Sequence, residues 1–273
     1  MTRVLAIYRA ERFSPNSVEQ DKAILDAVGE NLLSRGYDVH YVGEHSLTRD
    51  MYADVFLTMG RETSAMDILE VKEQEGAAVI NSPAAIRACS RDAVDRVMRA
   101  SGIPAAPVDG ESGYWIKRGD EAAQCPDDVR YAACAEERDR ILADFRRRGI
   151  GSIVVTAHVE GDLVKFYGVR GTRFFRYFYP TDDGCSKFDN ELVNGKAKHY
   201  PFHEGSLCRD AERLASLVGT DIYGGDCIVR SDGSYAIIDF NDFPSFSRCR
   251  DEAAEAIAGL VARRVPCGKL NTI

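Results

Sequence analysis

No apolar run in this 273-residue chain approaches the roughly 20 residues of a membrane-spanning helix. An excess of positive charge is missing too: 35 Lys plus Arg stand against 43 Asp plus Glu, a net of −8. Such a chain has no global basic field to hold nucleic acid or an anionic membrane surface. Eight cysteines occur (89, 125, 134, 185, 208, 227, 249 and 267), yet none forms a CxxC and the nearest two are nine residues apart. That dispersal argues against a zinc or disulfide framework and for reduced, mostly buried thiols. Low-complexity tracts are also absent, and 29% charged with 9% aromatic residues argues against disorder. The opening Met1-Thr2-Arg3-Val4-Leu5-Ala6-Ile7-Tyr8 turns polar too soon for a secretory signal. The expectation is a soluble, acidic, cytoplasmic protein with small-molecule or protein partners, neither nucleic acid nor membrane, and with a homodimer left open.

With 45% apolar residues and about 150 residues per domain, the length suits one large domain or two to three lobes. The first ~90 residues alternate strand and helix. Arg3 to Tyr8 reads as a strand, and Ser17 with Gln20 opens a helix whose stripe is Ile24, Leu25, Val28, Leu32 and Leu33. Strands follow at Tyr37–Val42, Asp54–Met59 and Ala77–Asn81. This rhythm predicts a parallel sheet with functional loops at the strands' C-terminal ends. Arg9, Ser14, Asn16 and Arg61 sit in such loops, where a second substrate is expected to dock.

From ~91 to 150 come a helix near 84–100, strands at Tyr114–Lys117 and Val129–Ala133, and a helix Glu136–Arg148. Its closing Arg146-Arg147-Arg148 before Gly149 complements the helix dipole rather than marking a nucleic-acid site. From 151 to ~265 the pattern is antiparallel. Ile153–Val159, Leu163–Val169 and Thr172–Tyr179 read as a meander turning at Glu160-Gly161 and Arg170-Gly171. A helix near 208–218, a hairpin across Asp232-Gly233 and a helix at 251–264 complete the lobe, and 266–273 is a tail.

That last hairpin concentrates the chemistry. A two-residue turn at Asp232-Gly233 puts Asp226 directly opposite Asp239 and Gly224 opposite Asn241, all on one face. Gly224 would then leave room for a ligand. Like charges across a ladder destabilise it, so a cation is expected there, and two carboxylates plus an amide oxygen suit Mg²⁺. On this register Ile228 and Ile237 share the aspartates' face, while Cys227, Val229, Ile238 and Phe240 line the other. The same arithmetic in the meander aligns Thr156, Lys165 and Arg176 in one row, a basic stripe able to meet an anion.

The order of these parts resembles the ATP-grasp superfamily, which includes glutathione-synthetase-like and RimK-like ligases and the inositol trisphosphate 5/6-kinases. Asn81-Ser82-Pro83, Ser90-Arg91-Asp92 and Gly102-Ile103-Pro104 are similar to the family's lead-in. Trp115-Ile116-Lys117 resembles the small-lobe strand whose lysine touches nucleotide phosphates. Val154 through Gly161 sits at the hinge whose backbone receives adenine. Lys165 matches the basic residue of the next strand, and Asp226, Asp239 and Asn241 match the magnesium-holding positions. The resemblance implies an N-terminal Rossmann-like α/β lobe (1–90), a small central lobe (91–150) and a larger antiparallel lobe (151–265), with ATP and Mg²⁺ as cofactors. It further implies nucleotide contacts from Arg91, Lys117, Thr156, Ala157, His158, Val159 and Lys165. Lys117, Lys165 and Arg176 would take the catalytic roles.

Three departures stand out. Arg91 occupies the place of a frequent lysine, Thr156-Ala157 replaces a Gln-Glu pair, and Glu121-Ala122-Ala123-Gln124-Cys125 stands where a glycine-rich lid is common. The leading expectation is a carboxylate–amine ligase working through an acyl phosphate, which fits the lack of any Ser-His-Asp or Cys-His arrangement. The alternative is a small-molecule kinase of the inositol-phosphate type, favoured by Asp239-Phe240-Asn241-Asp242-Phe243-Pro244. Its polyanionic substrate would need Arg173, Arg176, Lys187, Lys196 and Lys198 to form a basic pocket. A non-catalytic nucleotide sensor is the third reading.

Overall fold

The computed structural model describes residues 1–120, 125–183 and 193–267. Lys187, Cys185, most of the lid replacement and most of the tail lie outside them. The first lobe runs β1 (Arg3–Tyr8), α1 (Val18–Ser34), β2 (Asp38–Gly43), β3 (Val55–Thr58), α2 (Thr63–Gln74) and β4 (Ala78–Ile80). Its sheet is wholly parallel, in the order β2-β1-β3-β4. Val4-Leu5-Ala6-Ile7 and Val55-Phe56-Leu57 are buried on both faces, the continuous apolar pattern of covered parallel strands. Helix α1 buries Ile24, Leu25, Val28 and Leu32, while Ser17 makes no side-chain capping bond to it.

The expected helix near 84–100 breaks at Cys89-Ser90 into α3 (Pro83–Ala88) and α4 (Arg91–Ser101). Strands β5 (Tyr114–Arg118), β6 (Val129–Ala132) and β7 (Ile153–Ala157) form an antiparallel sheet, order β6-β5-β7, with α5 (Ala135–Arg147) packed on one side. Ile116, Ala132, Ile141, Phe145 and Ile150 make that core. The arginine run at the end of α5 is spent locally, Arg147 on Asp144 and Arg148 on Asp128.

The third lobe carries β8 (Asp162–Val169), β9 (Phe175–Phe178), α6 (Glu204–Val218), β10 (Ile222–Val229), β11 (Tyr235–Asp242) and α7 (Arg250–Arg264). Its sheet runs β11-β10-β8-β9, with α6 beneath it through Leu207, Ala211, Leu214 and Ala215. Helix α7 returns to the first lobe and shares a core with α1. Among the described residues no helix is long and apolar enough to cross a membrane. Cys89, Cys227 and Cys249 are buried, whereas Cys125, Cys134 and Cys267 are exposed at loops and helix ends, so the thiols are less buried than expected.

Two register expectations need correction. The meander does not exist, because β7 pairs with β5 of the small sheet and the chain crosses between lobes at 158–161. Strands β8 and β9 do pair, but through a four-residue connection that sets Tyr167 opposite Arg176 and Lys165 opposite Phe178. Thr156, Lys165 and Arg176 therefore form no row. In the last hairpin Arg230 donates its amide to Ser234 at 2.8 Å, so the turn has three residues, with Gly233 at φ +80°. That single-residue slip is undone by a bulge at Ile238, which restores Asp226 opposite Asp239 and Gly224 opposite Asn241. The price of the compensation is a swap: Ile237 joins Cys227 and Phe240 in the α6 core, and Ile238 turns to the side of Ile228.

Candidate active site

One face of the large sheet reads as a grid. Phe178, Lys165, Asp226 and Asp239 form one cross-strand row, and Arg176, Tyr167, Gly224 and Asn241 form the next. Directly paired residues project to the same side, and so do residues two apart along a strand. Lys165 Nζ meets Asp226 Oδ1 at 3.1 Å and Oδ2 at 3.4 Å. The space beside Gly224 is taken, contrary to expectation: a Cβ there would meet Pro244 Cγ at 2.8 Å and Tyr167 Cδ1 at 3.0 Å.

The small sheet turns Trp115, Lys117, Val154 and Thr156 toward this face while Ile116 enters its own core. Between the sheets lies a narrow cleft lined by Arg91, Val94, Met98, Lys117, Thr156, Ile238 and Asp239, among others. Lys117 Nζ crosses it to donate to the carbonyl of Ile238 at 2.9 Å, the carbonyl that the bulge frees. Arg91, at the start of α4, reaches Asp239 at 3.7 Å and the carbonyl of Arg118 at 3.3 Å. The Nε that faces Asp239 is buried and makes no hydrogen bond.

Arg91 and Lys117 thus line the cleft with Asp95 and Asp239, and the Lys165–Asp226 pair flanks it on the large sheet. Burial is the first influence on Lys117 and on Asp239. It lowers the Lys117 ammonium below the ordinary lysine value against the pull of Asp239. Burial alone would raise the Asp239 carboxyl, but Arg91, Lys117, Lys165 and the Phe240 amide outweigh it and hold the group below the usual range. Among the described residues no three His, Cys, Asp or Glu converge. Asp226, Asp239 and Asn241 offer hard oxygen donors only, a set that suits Mg²⁺ completing its shell with phosphate and water.

At the hinge, Ala157 donates its amide to Pro107 at 2.7 Å and His158 donates to Gly113 at 2.8 Å. Of the hinge residues expected to receive a base, Ala157 and His158 therefore have committed amides, while the Val159 amide makes no hydrogen bond to the protein. Trp115 Nε1 donates to His158 Nδ1 at 3.1 Å, with Tyr131 tilted against the indole and edge-on to the imidazole. Burial pushes His158 below its ordinary value. Its neutral form is thus favoured, and the stability it confers is present above pH ~6.5 and lost as pH falls through the lowered value. Trp115 is the single tryptophan of the chain. We expect its emission to titrate with a midpoint below ~6.5 in a fluorescence pH series, as protonation of Nδ1 ends the indole hydrogen bond.

Other expected site residues stand elsewhere. Arg176 pairs with Glu252 on the surface and lies over Phe174. Arg176→Ala should leave nucleotide affinity and turnover unchanged and cost no more than about 1 kcal/mol in urea melts. Lys196, Lys198 and Arg173 are exposed, and Lys198 rests on Tyr200. Arg9 is consumed by Asp21 and the carbonyls of Met59 and Phe243 at 2.9–3.0 Å. Arg61 holds Asp242. Both arginines tie the first lobe to the end of β11 instead of facing a second substrate. Trp115 shares a strand face with Lys117, two residues away, and Tyr167 shares one with Lys165.

No family model matches the chain, and no curated protein does. Solved structures match over nearly its whole length. D-alanyl-alanine synthetase A from Vibrio cholerae superposes with a TM-score of 0.70 at 12% identity, covering 96% of this chain and 98% of that one. The RimK domain ATP-grasp protein from Sphaerobacter thermophilus gives 0.64 at 17%, covering 95% and 99%. D-alanine–D-alanine ligase from Bacillus anthracis gives 0.63 at 10%, covering 97% and 98%. The chain has the ATP-grasp fold. In ATP-grasp terms the parallel lobe precedes two sheets that face each other across the cleft just described, the arrangement that the sequence resemblance implied.

Proposed function

We propose that the protein is an ATP-dependent carboxylate–amine ligase. One observation carries the reading: Asp226, Asp239 and Asn241 share a sheet face with Lys165, and Arg91 and Lys117 approach Asp239 from the opposite lobe. This arrangement of oxygen donors ringed by cations matches a metal–triphosphate ligand in charge and in chemistry. Neighbours of the same fold include a ligase bound to Mg and ADP, and Mg²⁺ held by the two aspartates and Asn241 would neutralise phosphate charge here.

The chain's own groups then act by position and charge. Trp115, Thr156, Val159 and Ile238 would wall the base, and Arg91, Lys117 and Lys165 would hold the phosphates. A substrate carboxylate oxygen attacks the γ-phosphorus, and the bond from that phosphorus to the bridging oxygen breaks with its electron pair leaving on ADP. An amine next attacks the acyl phosphate, expelling inorganic phosphate and losing its proton to solvent. Lys165, now paired with Asp226, would balance charge on the transferred group if that carboxylate served a metal ion instead. No side-chain nucleophile takes part.

Binding should be visible without turnover. Adding Mg-ADP is expected to quench or shift Trp115 emission, saturably and only in the presence of Mg²⁺. An unchanged spectrum alongside calorimetric binding would move the base away from Trp115. The kinase alternative predicts a stable phosphorylated product without phosphate release when myo-inositol phosphates are supplied, whereas the ligase reading predicts amine-dependent phosphate release.

A further inference from the structure

Strand β11 does not end freely after Asn241. The next residue, Asp242, is buried, and Arg61 takes both its carboxylate and its carbonyl, the latter at 3.4 Å. Arg9 donates to the carbonyl of Phe243 at 2.9 Å, and the Phe243 amide donates to Ile222 at 2.9 Å. Phe243 itself sits at φ +32°, a backbone state that side chains rarely adopt, with its ring fully buried in the core shared by α1 and α7. The bend places Pro244 against Gly224, the cross-strand partner of Asn241. Two guanidiniums from the first lobe thus fix the backbone just beyond Asn241.

Both arginines are themselves held. Arg9 follows β1 and Arg61 follows β3. The buried Glu44 accepts the backbone amides of Ala10, Arg61 and Glu62, which pins the two loops to one carboxylate. Asp21 meets Arg9 at 3.0 Å, with both side chains under a tenth exposed. Cohesion is a poor account of this cluster. Arg61 Nε and Asp242 Oδ2 are buried without hydrogen bonds, each at a desolvation cost, and apolar packing often stabilises as well as buried ion pairs do. What the cluster supplies is direction, since planar, forked donors allow the exit of β11 one course.

We propose that Arg9 and Arg61 are positioning residues for the metal set: they hold the carbonyls of Phe243 and Asp242 so that the Asn241 amide oxygen stays aligned with Asp226 and Asp239. The inference rests on the metal set of the ligase reading and adds the first lobe to what shapes it. In this role neither arginine touches nucleotide or ion. Contacts that orient metal ligands from behind are worth about 10–100-fold in metal affinity. Charge alone predicts the opposite sign, because removing a cation near a cation site strengthens binding there.

The test titrates the full chain with ADP by calorimetry, without Mg²⁺ and with it, and reads the factor by which the metal improves affinity. Arg9→Gln and Arg61→Gln should each lower that factor about tenfold, with metal-free ADP affinity unchanged. Arg61→Lys, which keeps the charge and a donor, should lose only about threefold. Arg148→Gln breaks an ion pair in the small lobe and should leave the factor as it is. A factor unchanged or raised in both Gln variants would overturn the positioning role and leave the ligase reading intact. An equal loss in Arg148→Gln would reduce the effect to general loosening and overturn the role as well. If the Gln variants lose the native far-UV spectrum, Arg61→Lys decides, and no loss there contradicts the proposal. Absence of any Mg²⁺ improvement in the wild type would overturn the metal set and this role together.

Discussion

Asp239→Asn is expected to lower acceptor-dependent phosphate release by at least about 10³-fold, the scale on which removing one preorganised electrostatic contact acts, with a second loss from weakened metal binding. The side chain keeps its size but loses the charge that Arg91, Lys117 and Lys165 surround. A second consequence follows from the same charges. With Asp226 alone facing three cations, metal-free ATP should bind the variant at least as tightly as the wild type, while added Mg²⁺ should no longer improve affinity. Calorimetric titrations with and without Mg²⁺ read both effects. Equal Mg²⁺ enhancement in variant and wild type would remove Asp239 from the metal set. Far-UV circular dichroism should stay unchanged, since the hairpin's register depends on its turn, its bulge and its apolar faces.

The largest stability effect belongs to Asn81. This fully buried amide accepts the backbone N–H groups of Asp221 and Ile222 at 2.8 and 2.9 Å, and its own nitrogen donates to the carbonyl of Ile222 at 2.9 Å. It joins the end of β4 to the start of β10, the strand that carries Asp226. Asn81→Ala would strand two buried donors at about 1–3 kcal/mol each, while the Ile222 carbonyl keeps the Phe243 amide at 2.9 Å, so a loss of roughly 2–4 kcal/mol is expected. Urea denaturation measures it, with the midpoint falling and the slope unchanged. A loss below about 1 kcal/mol would show that water or relaxation replaces the clamp. The nearby pairing of Asp221 with Arg170 and Arg264 should soften none of it, because those bonds go to the side chain and not to the orphaned backbone groups.

The elements were legible where periodicity was strong. Val4 to Ile7 and Val55 to Leu57 read as covered strands because apolar residues ran without a break, and the stripe of α1 lies buried as spaced, apart from Leu33, which is exposed. Pairing was not legible to the same degree. β7 looked like the first strand of a meander because Glu160-Gly161 has turn composition, yet the same two residues serve a crossing between lobes, and composition alone does not separate these uses. Arg176 leaves the row of Lys165 for a related reason: Arg170-Gly171 has the composition of a two-residue turn, whereas the connection between β8 and β9 has four residues. The opposition of Asp226 and Asp239 came out as expected through a cancellation: a longer turn moved the register by one residue and the bulge at Ile238 moved it back. Long-range roles were invisible. Nothing local announces that Asn81 clamps β10, that Arg9 reaches Phe243, or that Lys117 would find the carbonyl of Ile238 across the cleft.

The central claim is that a carboxylate is activated by transfer of the γ-phosphoryl group. Heavy-oxygen labelling of the carboxylate tests it most directly. The full-length protein would be incubated with Mg-ATP, hydroxylamine as the amine, and a pool of small carboxylic acids labelled in both oxygens. Mass spectrometry of the released phosphate then reads the route. One heavy oxygen in each phosphate, with the matching hydroxamate, is the predicted result. Phosphate carrying no label, or a stable phosphorylated product in its place, would contradict the account.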